Sequence, residues 1–489
     1  MRLAVAAATL LALQSLPVAA FQRADGSAAQ ASASEPASDR LIVRYHSAAG
    51  ASTPSTAAQA RARAAVQPYG VQVQHLRATA NGAHVFKLDR PVPLTTLEQM
   101  AQTLRNGDAD VEYAEPDLIM RPQYTPTDSR YAQQWDLFET TAGMNLPTAW
   151  DKSTGAGVVV AVIDTGVRPH ADLKANLLAG YDFVTNTTTA NDGGGRDADP
   201  ADPGDWTTAG LCYSGSAASS SWHGTHVAGT IAAVTGNAVG VAGVAFGAKV
   251  LPVRALGRCG GYTSDIADAM VWAAGGSVAG VPANANPARV LNLSLGGSGS
   301  CGVTYQNAIN AARARGAVVV VAAGNANTNA TGSVPANCTG VVTVAAVNRS
   351  GGKASYSNYG AVVDLAAPGG DSGAGILSTL NAGTTTPGAD SYAAYMGTSM
   401  ATPHVAGVAA LMLSRNPSLT PDEVEARLKA SVRPFPAACS QCGTGLLDAN
   451  MAVDAAVTAS ATVVASTVST SSPATTSTTS AAGVNRRMR

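Results

Sequence analysis

The pattern of apolar and polar positions divides the chain into a small N-terminal region of mixed elements and a longer region of buried strands. Between residues 40 and 114, short strand-like runs alternate with two stretches of helical periodicity. The predicted strands cover residues 41–45, 71–73, 83–88 and 111–114, and the predicted helices cover residues 57–66 and 96–105. A capping box from Thr96 to Gln99 is expected to open the second helix. The order β-α-β-β-α-β predicts a small α+β domain with two helices on one sheet.

The longer region extends from residue 125 to about residue 457, and in it apolar runs alternate with stretches rich in alanine and glycine. Residues 158–163 and 318–323 contain no polar side chain. Such runs are typical of parallel strands that are covered on both faces. We therefore predict an α/β domain in which a mostly parallel sheet lies between helices.

The two ends of the chain differ from both regions in composition. Residues 1–20 have a basic residue, Arg2, directly after Met1, continue with an apolar stretch and end in small residues, which predicts a cleaved signal peptide and therefore secretion. The apolar stretch is shorter than the ~20 residues that span a bilayer, so we expect no membrane anchor. Residues 21–39 are rich in alanine and serine and are expected to be unstructured. Residues 458–489 read as a flexible Ser/Thr-rich tail.

Charge and composition narrow the class of partner. Charged residues make up 13% of the 489 residues and the formal net charge is -1. No basic surface therefore argues for nucleic acid or anionic lipid as a partner. Apolar residues make up 46%, which favours a compact globular protein.

The cysteines support export. All six lie after residue 200 and their number is even, which is typical of disulfides in secreted proteins. Six cysteines allow 15 pairings. Pairing between neighbours in the sequence closes the shortest loops and is our prediction: Cys212–Cys259, Cys301–Cys338 and Cys439–Cys442. The last pair also has the spacing of half a zinc site, but no second Cys or His pair completes it.

Asp164 is the first candidate for chemistry. It follows the apolar run 158–163 directly, so its carboxylate is expected at the carboxyl edge of the parallel sheet, where α/β sites are usually built. An Asp in this position is also a common turn or cap residue. The triplet Asp-Thr-Gly occurs in aspartic proteases as well, but their chemistry needs two carboxylates and the chain has no second copy.

His223 is the second candidate. It lies in residues 221–230, a segment that looks like a loop entering a helix packed through small residues. His226 follows three residues later, so a metal pair is an alternative. The Glu and the spacing of a metallopeptidase helix are lacking, however.

Ser399 is the third candidate. It lies in the octet Gly-Thr-Ser-Met-Ala-Thr-Pro-His, residues 397–404, which precedes an apolar helix. Pro403 is expected to be tolerated there, because the early backbone donors of a helix have no helical partner. The alternative is that Ser399 is a simple N-cap, which would leave the preceding Gly397-Thr398 unexplained.

Together the three residues supply a nucleophile, a base that accepts its proton and a carboxylate that orients the base. The three motifs, in the chain order Asp, His, Ser, resemble those of the subtilases, the subtilisin-like serine peptidases, over about residues 125–457. The resemblance implies a subtilisin-like three-layer fold, a mostly parallel sheet between helices, preceded by a small ferredoxin-like α+β propeptide domain. It also implies that Asn325 and the backbone amide of Ser399 bind the oxyanion. Without the other motifs, Asn325 would read as a turn residue.

The resemblance implies a secreted serine endopeptidase that forms an acyl-enzyme, acts on proteins or peptides and is expected to be a monomer. Its domains would be a signal peptide (1–20), an inhibitory propeptide that templates folding (21–124), the peptidase domain (125–457) and the tail (458–489). Processing is expected near Tyr124. An inactive subtilase-like binding protein and a general esterase are the alternatives.

Substrate binding is also placed by the resemblance. Subtilases hold an extended peptide between two edge segments by main-chain pairing. Here these segments resemble Gly260-Gly261-Tyr262 and Ser294-Leu295-Gly296. The pocket for the residue before the scissile bond would lie between the second segment and residues 322–324, which end in Gly324. Both stretches are small or apolar, so we predict broad specificity with an apolar or aromatic preference.

The resemblance further implies structural Ca²⁺, which prefers oxygen ligands. A site common in subtilases would here use the side chains of Asp128, Asp172 and Asn237 with the carbonyl groups of Val239 and Val241. A second site or a solvated surface loop would account for the acidic residues of the stretch 191–205, which are Asp192, Asp197, Asp199, Asp202 and Asp205.

Overall fold

The structure, a computed structural model, describes residues 37–46, 52–120, 124–212 and 215–457. The chain divides into two compact units, Met1–Thr125 and Pro126–Arg489. This division lies one residue from the domain boundary predicted between residues 124 and 125. The predicted signal peptide, residues 21–36 of the lead-in that follows it and the predicted C-terminal tail lie outside the described residues. Residues 37–39, which were expected to be unstructured, instead belong to the first strand of the sheet.

The small unit has the predicted order of elements. They are β1 (Ala37–Tyr45), α1 (Thr56–Val66), β2 (Val73–Ala78), β3 (His84–Pro93), α2 (Leu94–Gly107) and β4 (Val111–Pro116). The sheet order is β2-β3-β1-β4 with antiparallel neighbours, which is the ferredoxin-like arrangement. The apolar sides of both helices pack with the inward side chains of the sheet in one core.

The start of α2 differs from the prediction. The helix begins at Leu94, with Pro93 at the N-cap and no side-chain cap, so Thr96 and Gln99 form no capping box. The reason is that β3 leads into the helix without a loop, and the fixed φ of Pro93 makes the turn between them. The strand predicted at residues 71–73 is also misplaced, since β2 runs from Val73 to Ala78 and shares only residue 73 with it.

The large unit contains thirteen further strands and nine further helices among the described residues. The strands are β5 (Val159–Asp164), β6 (Tyr181–Asp182), β7 (Lys249–Arg254), β8 (Val290–Leu293), β9 (Gly297–Ser298), β10 (Val318–Ala322), β11 (Ser333–Val334), β12 (Val342–Val347), β13 (Leu365–Pro368), β14 (Ile376–Asn381), β15 (Asp390–Tyr395), β16 (Val432–Arg433) and β17 (Leu446–Leu447). The helices are α3 (Trp135–Phe138), α4 (Leu146–Trp150), α5 (Thr187–Ala190), α6 (His223–Ala232), α7 (Thr263–Ala273), α8 (Val303–Arg313), α9 (Thr398–Arg415), α10 (Pro421–Ala430) and α11 (Ala449–Ala455).

Nine of these strands form one central sheet in the order β16-β17-β13-β12-β10-β8-β5-β7-β6. All its pairs are parallel except β16 with β17 at one edge. Helices α7 and α8 pack on one face, against the alternate side chains of β5, β7, β8 and β10. Helix α9 crosses β8, β10, β12 and β13, and α6 packs on β5 and α9. The predicted three-layer α/β fold is therefore confirmed.

The three disulfides of the structure join the predicted partners: Cys212–Cys259, Cys301–Cys338 and Cys439–Cys442. Because Cys439 and Cys442 are bonded to each other, the alternative of a zinc pair does not apply. Within the described ranges, no helix is long and apolar enough to cross a bilayer.

Candidate active site

The four residues predicted to carry the chemistry lie where parallel strands of the central sheet end. Asp164 is the last residue of β5, and Asn325 follows the end of β10 by three residues. His223 is the first residue of α6 and Ser399 the second residue of α9. His223, Asn325 and Ser399 all line one cleft of about 810 Å³. The sheet therefore gathers the three motifs, as expected for the carboxyl edge of an α/β sheet.

Asp164 and His223 form a hydrogen-bonded pair. The Nδ1 atom of His223 lies 2.8 Å from Oδ1 of Asp164, and the backbone N–H of Thr165 donates to the same oxygen at 2.8 Å. The Asp164 side chain is fully buried, whereas 22% of the His223 side chain is exposed. Because Nδ1 faces a carboxylate, it is assigned as the donor, and Nε2 is left as the basic nitrogen.

The charge of Asp164 controls the protonation of His223. Burial lowers the pKa of His223, but the negative charge of Asp164, the hydrogen bond to it and the charges of Asp205 and Asp202 together outweigh burial, so the pKa lies above its ordinary value. The cation that forms when the ring accepts a proton is therefore stabilised in place.

A glycine at position 224 allows this pair to come together. A Cβ atom on Gly224 would lie 2.3 Å from the carbonyl oxygen of Gly166 and 3.1 Å from the Cβ of Asp164. Any side chain at position 224 would push α6 away from the end of β5. The glycine after His223 is thus required by the close approach of the helix to Asp164.

His226 does not form a metal pair with His223. Its ring is fully buried, and Nε2 donates to the carbonyl oxygens of Ile376 at 3.1 Å and Ala393 at 3.0 Å. The ring stacks on Tyr395 with 4.6 Å between centroids. Burial lowers the pKa of His226 to about 3, so the ring is neutral at working pH. The position is therefore structural.

Ser399 lies at the start of α9 but does not cap it. Gly397 occupies the N-cap position and no side chain caps the helix. The hydroxyl of Ser399 donates to the carbonyl oxygen of Ser294 at 3.1 Å, and no hydrogen bond joins it to His223 in the described part of the chain. Catalytic hydrogen bonds are often loose in the absence of substrate. Because Gly397 is the N-cap residue and the Ser399 side chain does not cap the helix, the alternative of a simple N-cap is wrong.

Pro403 is tolerated for a reason other than the predicted one. It is the sixth residue of α9, beyond the first turn, so its missing N–H leaves the carbonyl of Ser399 without a helical donor. The hydroxyl of Ser294 donates to that carbonyl oxygen at 2.8 Å. Ser294 and Ser399 are thus bonded to each other in both directions.

Asn325 and the start of α9 offer two N–H donors to the cleft. Oδ1 of Asn325 accepts from the backbone N–H of Thr398 at 2.9 Å and from its hydroxyl at 2.8 Å. These two bonds orient the amide and leave Nδ2 as the free donor. Within the described residues the backbone N–H of Ser399 also has no acceptor. A helix N-terminus with a free amide favours an anion.

The predicted substrate segments lie along the same cleft, with one exception. Gly260, Gly261, Ser294, Leu295, Gly296 and Gly324 line it. Tyr262 is 58% exposed and lines a separate pocket of about 540 Å³. A Cβ atom on Gly324 would lie 2.5 Å from Nδ2 of Asn358, so this wall of the cleft has no room for a side chain.

Several residues of the cleft have no signal in the sequence. Distant segments supply the lining residues Thr263, Ile266, Tyr305, Val334 and Asn358. They belong to no motif, and only the arrangement of the sheet brings them to the cleft. Beside Gly324 the lining includes the polar side chains of Asn358 and Ser333, and Ala322 and Val334 also line the cleft.

The residues predicted for the first calcium site lie together. Asp172 is fully buried and Asp128 is 5% exposed, and burial raises the pKa of both carboxyl groups. Asp172 accepts from Nδ2 of Asn237 at 2.8 Å and from the N–H of Val241 at 2.9 Å. Oδ1 of Asp128 is buried without a hydrogen-bond partner. A Cβ atom on Gly240 would lie 2.2 Å from Oδ2 of Asp172. Two buried carboxylates and an unpartnered oxygen fit a cation.

The five acidic residues of the stretch 191–205 are bonded separately. Each has its own donor, and the acceptor–donor pairs are Asp192 with Arg254, Asp197 with the N–H of Asp199, Asp199 with the N–H of Ala201, Asp202 with Thr165 and Asp205 with Ser221. Over the described ranges, no group of three or more His, Cys, Asp or Glu side chains is placed to hold a metal. The geometry thus gives the second calcium site no support.

Comparison with known proteins agrees with this arrangement. Residues 155–451 match the model of the Subtilase family. The chain is 55% identical over 408 residues to an extracellular protease of Xanthomonas campestris pv. campestris, covering 83% of this chain and 70% of that protein. It is 45% identical over 432 residues to an extracellular basic protease of Dichelobacter nodosus, covering 85% and 70%. The solved structure of a protease from Pseudoalteromonas arctica PAMC 21717 is 61% identical with a TM-score of 0.68, covering 68% of this chain and 100% of that one.

Proposed function

The chain belongs to the subtilase family and is a subtilisin-like serine endopeptidase, and we propose that it works outside the cell through the triad Asp164, His223 and Ser399. The observation that carries the proposal is the 2.8 Å contact between Asp164 and His223 in the wall of the cleft that also holds Ser399. Relatives named extracellular proteases support secretion. The predicted signal peptide lies outside the described residues.

In this mechanism the hydroxyl of Ser399 leaves the Ser294 carbonyl and donates to Nε2 of His223. As the oxygen attacks the scissile carbonyl, His223 accepts the proton and becomes a cation beside the Asp164 carboxylate. His223 then gives the proton to the leaving amine, and the acyl group stays on Ser399. A water molecule attacks the acyl-enzyme by the same steps and releases the product acid.

The negative charge that develops on the substrate oxygen would be bound by Nδ2 of Asn325 and the backbone N–H of Ser399. Neither donor has an acceptor in the part of the chain that the structure describes, and Thr398 fixes the amide in advance. Such preorganised donors stabilise the transition state more than the ground state. This assignment explains why Asn325 is bonded through its oxygen and not through its nitrogen.

We expect broad specificity with an apolar or aromatic residue before the scissile bond. Leu295, Gly296, Ala322, Gly324 and Val334 give that part of the cleft small or apolar walls without a carboxylate. Cleavage of a peptide library by the mature enzyme should favour Phe, Tyr, Leu or Met at this position. A dominant preference for Lys or Arg would contradict the assignment.

A structural Ca²⁺ ion would be held by Asp128, Asp172 and Asn237, with carbonyl oxygens of Val239 and Val241. The ion would neutralise the two buried carboxylates. A chelator should lower the melting temperature, since an ion at one hundred times its Kd stabilises by about 2.7 kcal/mol. Asp172→Asn should be less stable and insensitive to the chelator. An unchanged melting curve of the parent in excess chelator would count against the site.

The small unit would be a propeptide that templates folding and inhibits the enzyme, with processing near Tyr124. Two observations support this role: the sheet of the small unit is ferredoxin-like, and the chain divides into two compact units of which this is one. All six cysteines lie in the large unit, so the propeptide can leave without breaking a disulfide. Amino-terminal sequencing of secreted protein would find the processing site. Efficient processing of Ser399→Ala, with no other protease present, would contradict self-processing.

A further inference from the structure

We propose that Asp202 and Asp205 are positioning residues that hold the Asp164–His223 pair in its working geometry. Both belong to the stretch 191–205, which we call the Asp-rich loop. Asp202 acts on the segment that follows Asp164, and Asp205 acts on the turn that precedes His223. The inference rests on the proposed triad.

Asp202 acts through Thr165. It is 1% exposed, and its Oδ2 accepts the hydroxyl proton of Thr165 at 2.7 Å. The same hydroxyl oxygen accepts from the backbone N–H of Gly224 at 3.1 Å, and the N–H of Thr165 donates to Asp164. A hydroxyl has one proton, so donating it to Asp202 directs its lone pairs to Gly224. Asp202 thereby orients the group that links the end of β5 to the start of α6.

The backbone of the Asp-rich loop lies directly on the segment after Asp164. A Cβ atom on Gly166 would lie 2.6 Å from the carbonyl oxygen of Pro200 and 2.8 Å from the N atom of Asp202. The N–H of Val167 donates to Pro200 at 3.2 Å, and the side chain of Arg168 donates to the Asp202 carbonyl at 3.0 Å. Movement of the loop would therefore move the chain next to Asp164.

Asp205 acts through Ser221. Its two carboxylate oxygens accept from the N–H of Ser221 at 2.6 Å and from its hydroxyl at 2.7 Å. The hydroxyl oxygen of Ser221 accepts in turn from the N–H of His223 at 3.3 Å, and Tyr395 donates to the Ser221 carbonyl at 2.9 Å. Trp222, between them, has φ of 50°, a left-handed conformation that residues with side chains rarely adopt. The turn before His223 therefore needs an anchor. Asp205 supplies it by accepting from both the backbone N–H and the hydroxyl of Ser221.

The two carboxylates also act on His223 by charge. Asp205 is the one carboxylate among the described residues that line the cleft. Burial lowers the pKa of His223, while the charges of Asp164, Asp205 and Asp202 raise it. Burial raises the pKa of Asp202 to about 7, so Asp202 is only partly charged near neutral pH and the charge argument rests mainly on Asp205. A neutral amide at position 205 would keep most of the shape and remove that charge. A shift in the pKa of His223 on this substitution would distinguish a positioning role from a purely structural one, because a purely structural role predicts no such shift.

The test compares Asp205→Asn and Asp202→Asn with Asp199→Asn, a matched control from the same loop. Asp199 is exposed and accepts only from the N–H of Ala201. With a short peptide substrate, we expect each of the first two variants to lose about tenfold or more in kcat, because small misplacements of catalytic groups are costly. KM should stay within about twofold. The acid limb of kcat/KM should move to lower pH in Asp205→Asn and much less in Asp202→Asn, because burial raises the pKa of Asp202 to about 7 and that carboxyl group is already largely neutral on the acid limb. The control should match the parent.

Ser221→Ala and Thr165→Val provide a second arm that does not depend on the stability of the acidic variants. Each removes an anchoring hydroxyl and keeps the carboxylate charge, so kcat should fall with a smaller shift of the acid limb. Thr165→Ser keeps the hydroxyl and should retain activity. If Asp205→Asn and Asp202→Asn lowered only the melting temperature, with the kcat and acid limb of the parent, the proposal would be wrong. The proposal would also be wrong if a chelator lowered kcat and moved the acid limb of the parent as these two substitutions do, since the carboxylates would then be metal ligands.

Failure of this inference and failure of the triad are distinguishable. If Ser399→Ala kept the activity of the parent, the triad itself would be wrong and the positioning role would lose its meaning. If Ser399→Ala is inactive and the two acidic variants match Asp199→Asn, only the positioning role fails.

Discussion

The two halves of the active site are held in different ways. In the base half, Asp164 supplies a negative charge and His223 gains a positive one when it is protonated, and Asp202 and Asp205 bind the adjoining residues. In the nucleophile half, the hydrogen bonds of Ser399 and Asn325 within the described residues join them to the neutral groups of Ser294 and Thr398. The first half is built to hold a charge that appears during the reaction, and the second is built from fixed dipoles at a helix N-terminus. The difference means that pH and charge substitutions should act mainly on the base half.

The largest effect should come from removing the central group of either half. Ser399→Ala and His223→Ala should each reduce kcat by about 10⁶-fold, as found for the corresponding losses in subtilisin. The double variant should lose no more than either single variant, because the two side chains act as a unit. Initial rates on casein and on a peptide anilide measure this. Additive losses would mean that the two halves act independently.

Within the nucleophile half, Asn325→Ala should reduce kcat by about 10²–10³-fold with little change in KM, since the oxyanion forms only after attack begins. Asn310→Ala is a matched control, because Asn310 is exposed on α8 and away from the cleft. The acid limb of kcat/KM should not move in either variant. A shift of the limb in Asn325→Ala would show that this half is coupled to the charge of the base half.

The pH dependence should belong to the base half. The pKa of His223 is raised above about 6.5, and only the neutral ring can accept the proton of Ser399. As the pH rises through this pKa, His223 loses its proton and becomes able to act as the base. The midpoint of the acid limb should therefore lie above 6.5, and at lower pH kcat/KM should fall about tenfold per pH unit. A pH series of kcat/KM measures the midpoint. A midpoint below 6.5 would contradict the stabilising charge of the carboxylates.

The smallest effect should come from the hydrogen bond that substitutes for the missing donor of Pro403. Ser294→Ala leaves the Ser399 carbonyl without a donor and should lower the free energy of unfolding by about 1–3 kcal/mol. Pro403→Ala supplies a backbone N–H at that position. Ser294→Ala in the Pro403→Ala background should therefore cost less, as denaturant unfolding in a double-mutant cycle would show. Equal costs in both backgrounds would mean that the two donors do not share the carbonyl.

The sequence predicts the catalytic groups better than it predicts what holds them. Asp164, His223 and Ser399 each lie in a local motif, so their places at a strand end and at two helix starts follow from short-range pattern. The order of the small unit and the disulfide pairing follow from periodicity and loop length in the same way.

The contacts that hold these groups are long-range and leave no local pattern. Asp202 and Thr165 are 37 residues apart, and Ser294 and Ser399 are 105 residues apart. The density of Asp residues between 191 and 205 suggested a calcium site or a solvated loop. Asp192, Asp202 and Asp205 instead bind distant partners, and Asp197 and Asp199 accept from backbone N–H groups two residues away. The capping box at Thr96 failed for a related reason, since the strand before it leads directly into the helix.

The most direct test of the triad is the site and rate of labelling by a fluorophosphonate, read by intact mass and peptide mapping of the secreted enzyme. We predict one adduct, on Ser399, that forms rapidly in the parent, slowly in His223→Ala and not at all in Ser399→Ala. An adduct on another residue, or full caseinolytic activity in a protein whose Ser399 remains unlabelled, would contradict the account.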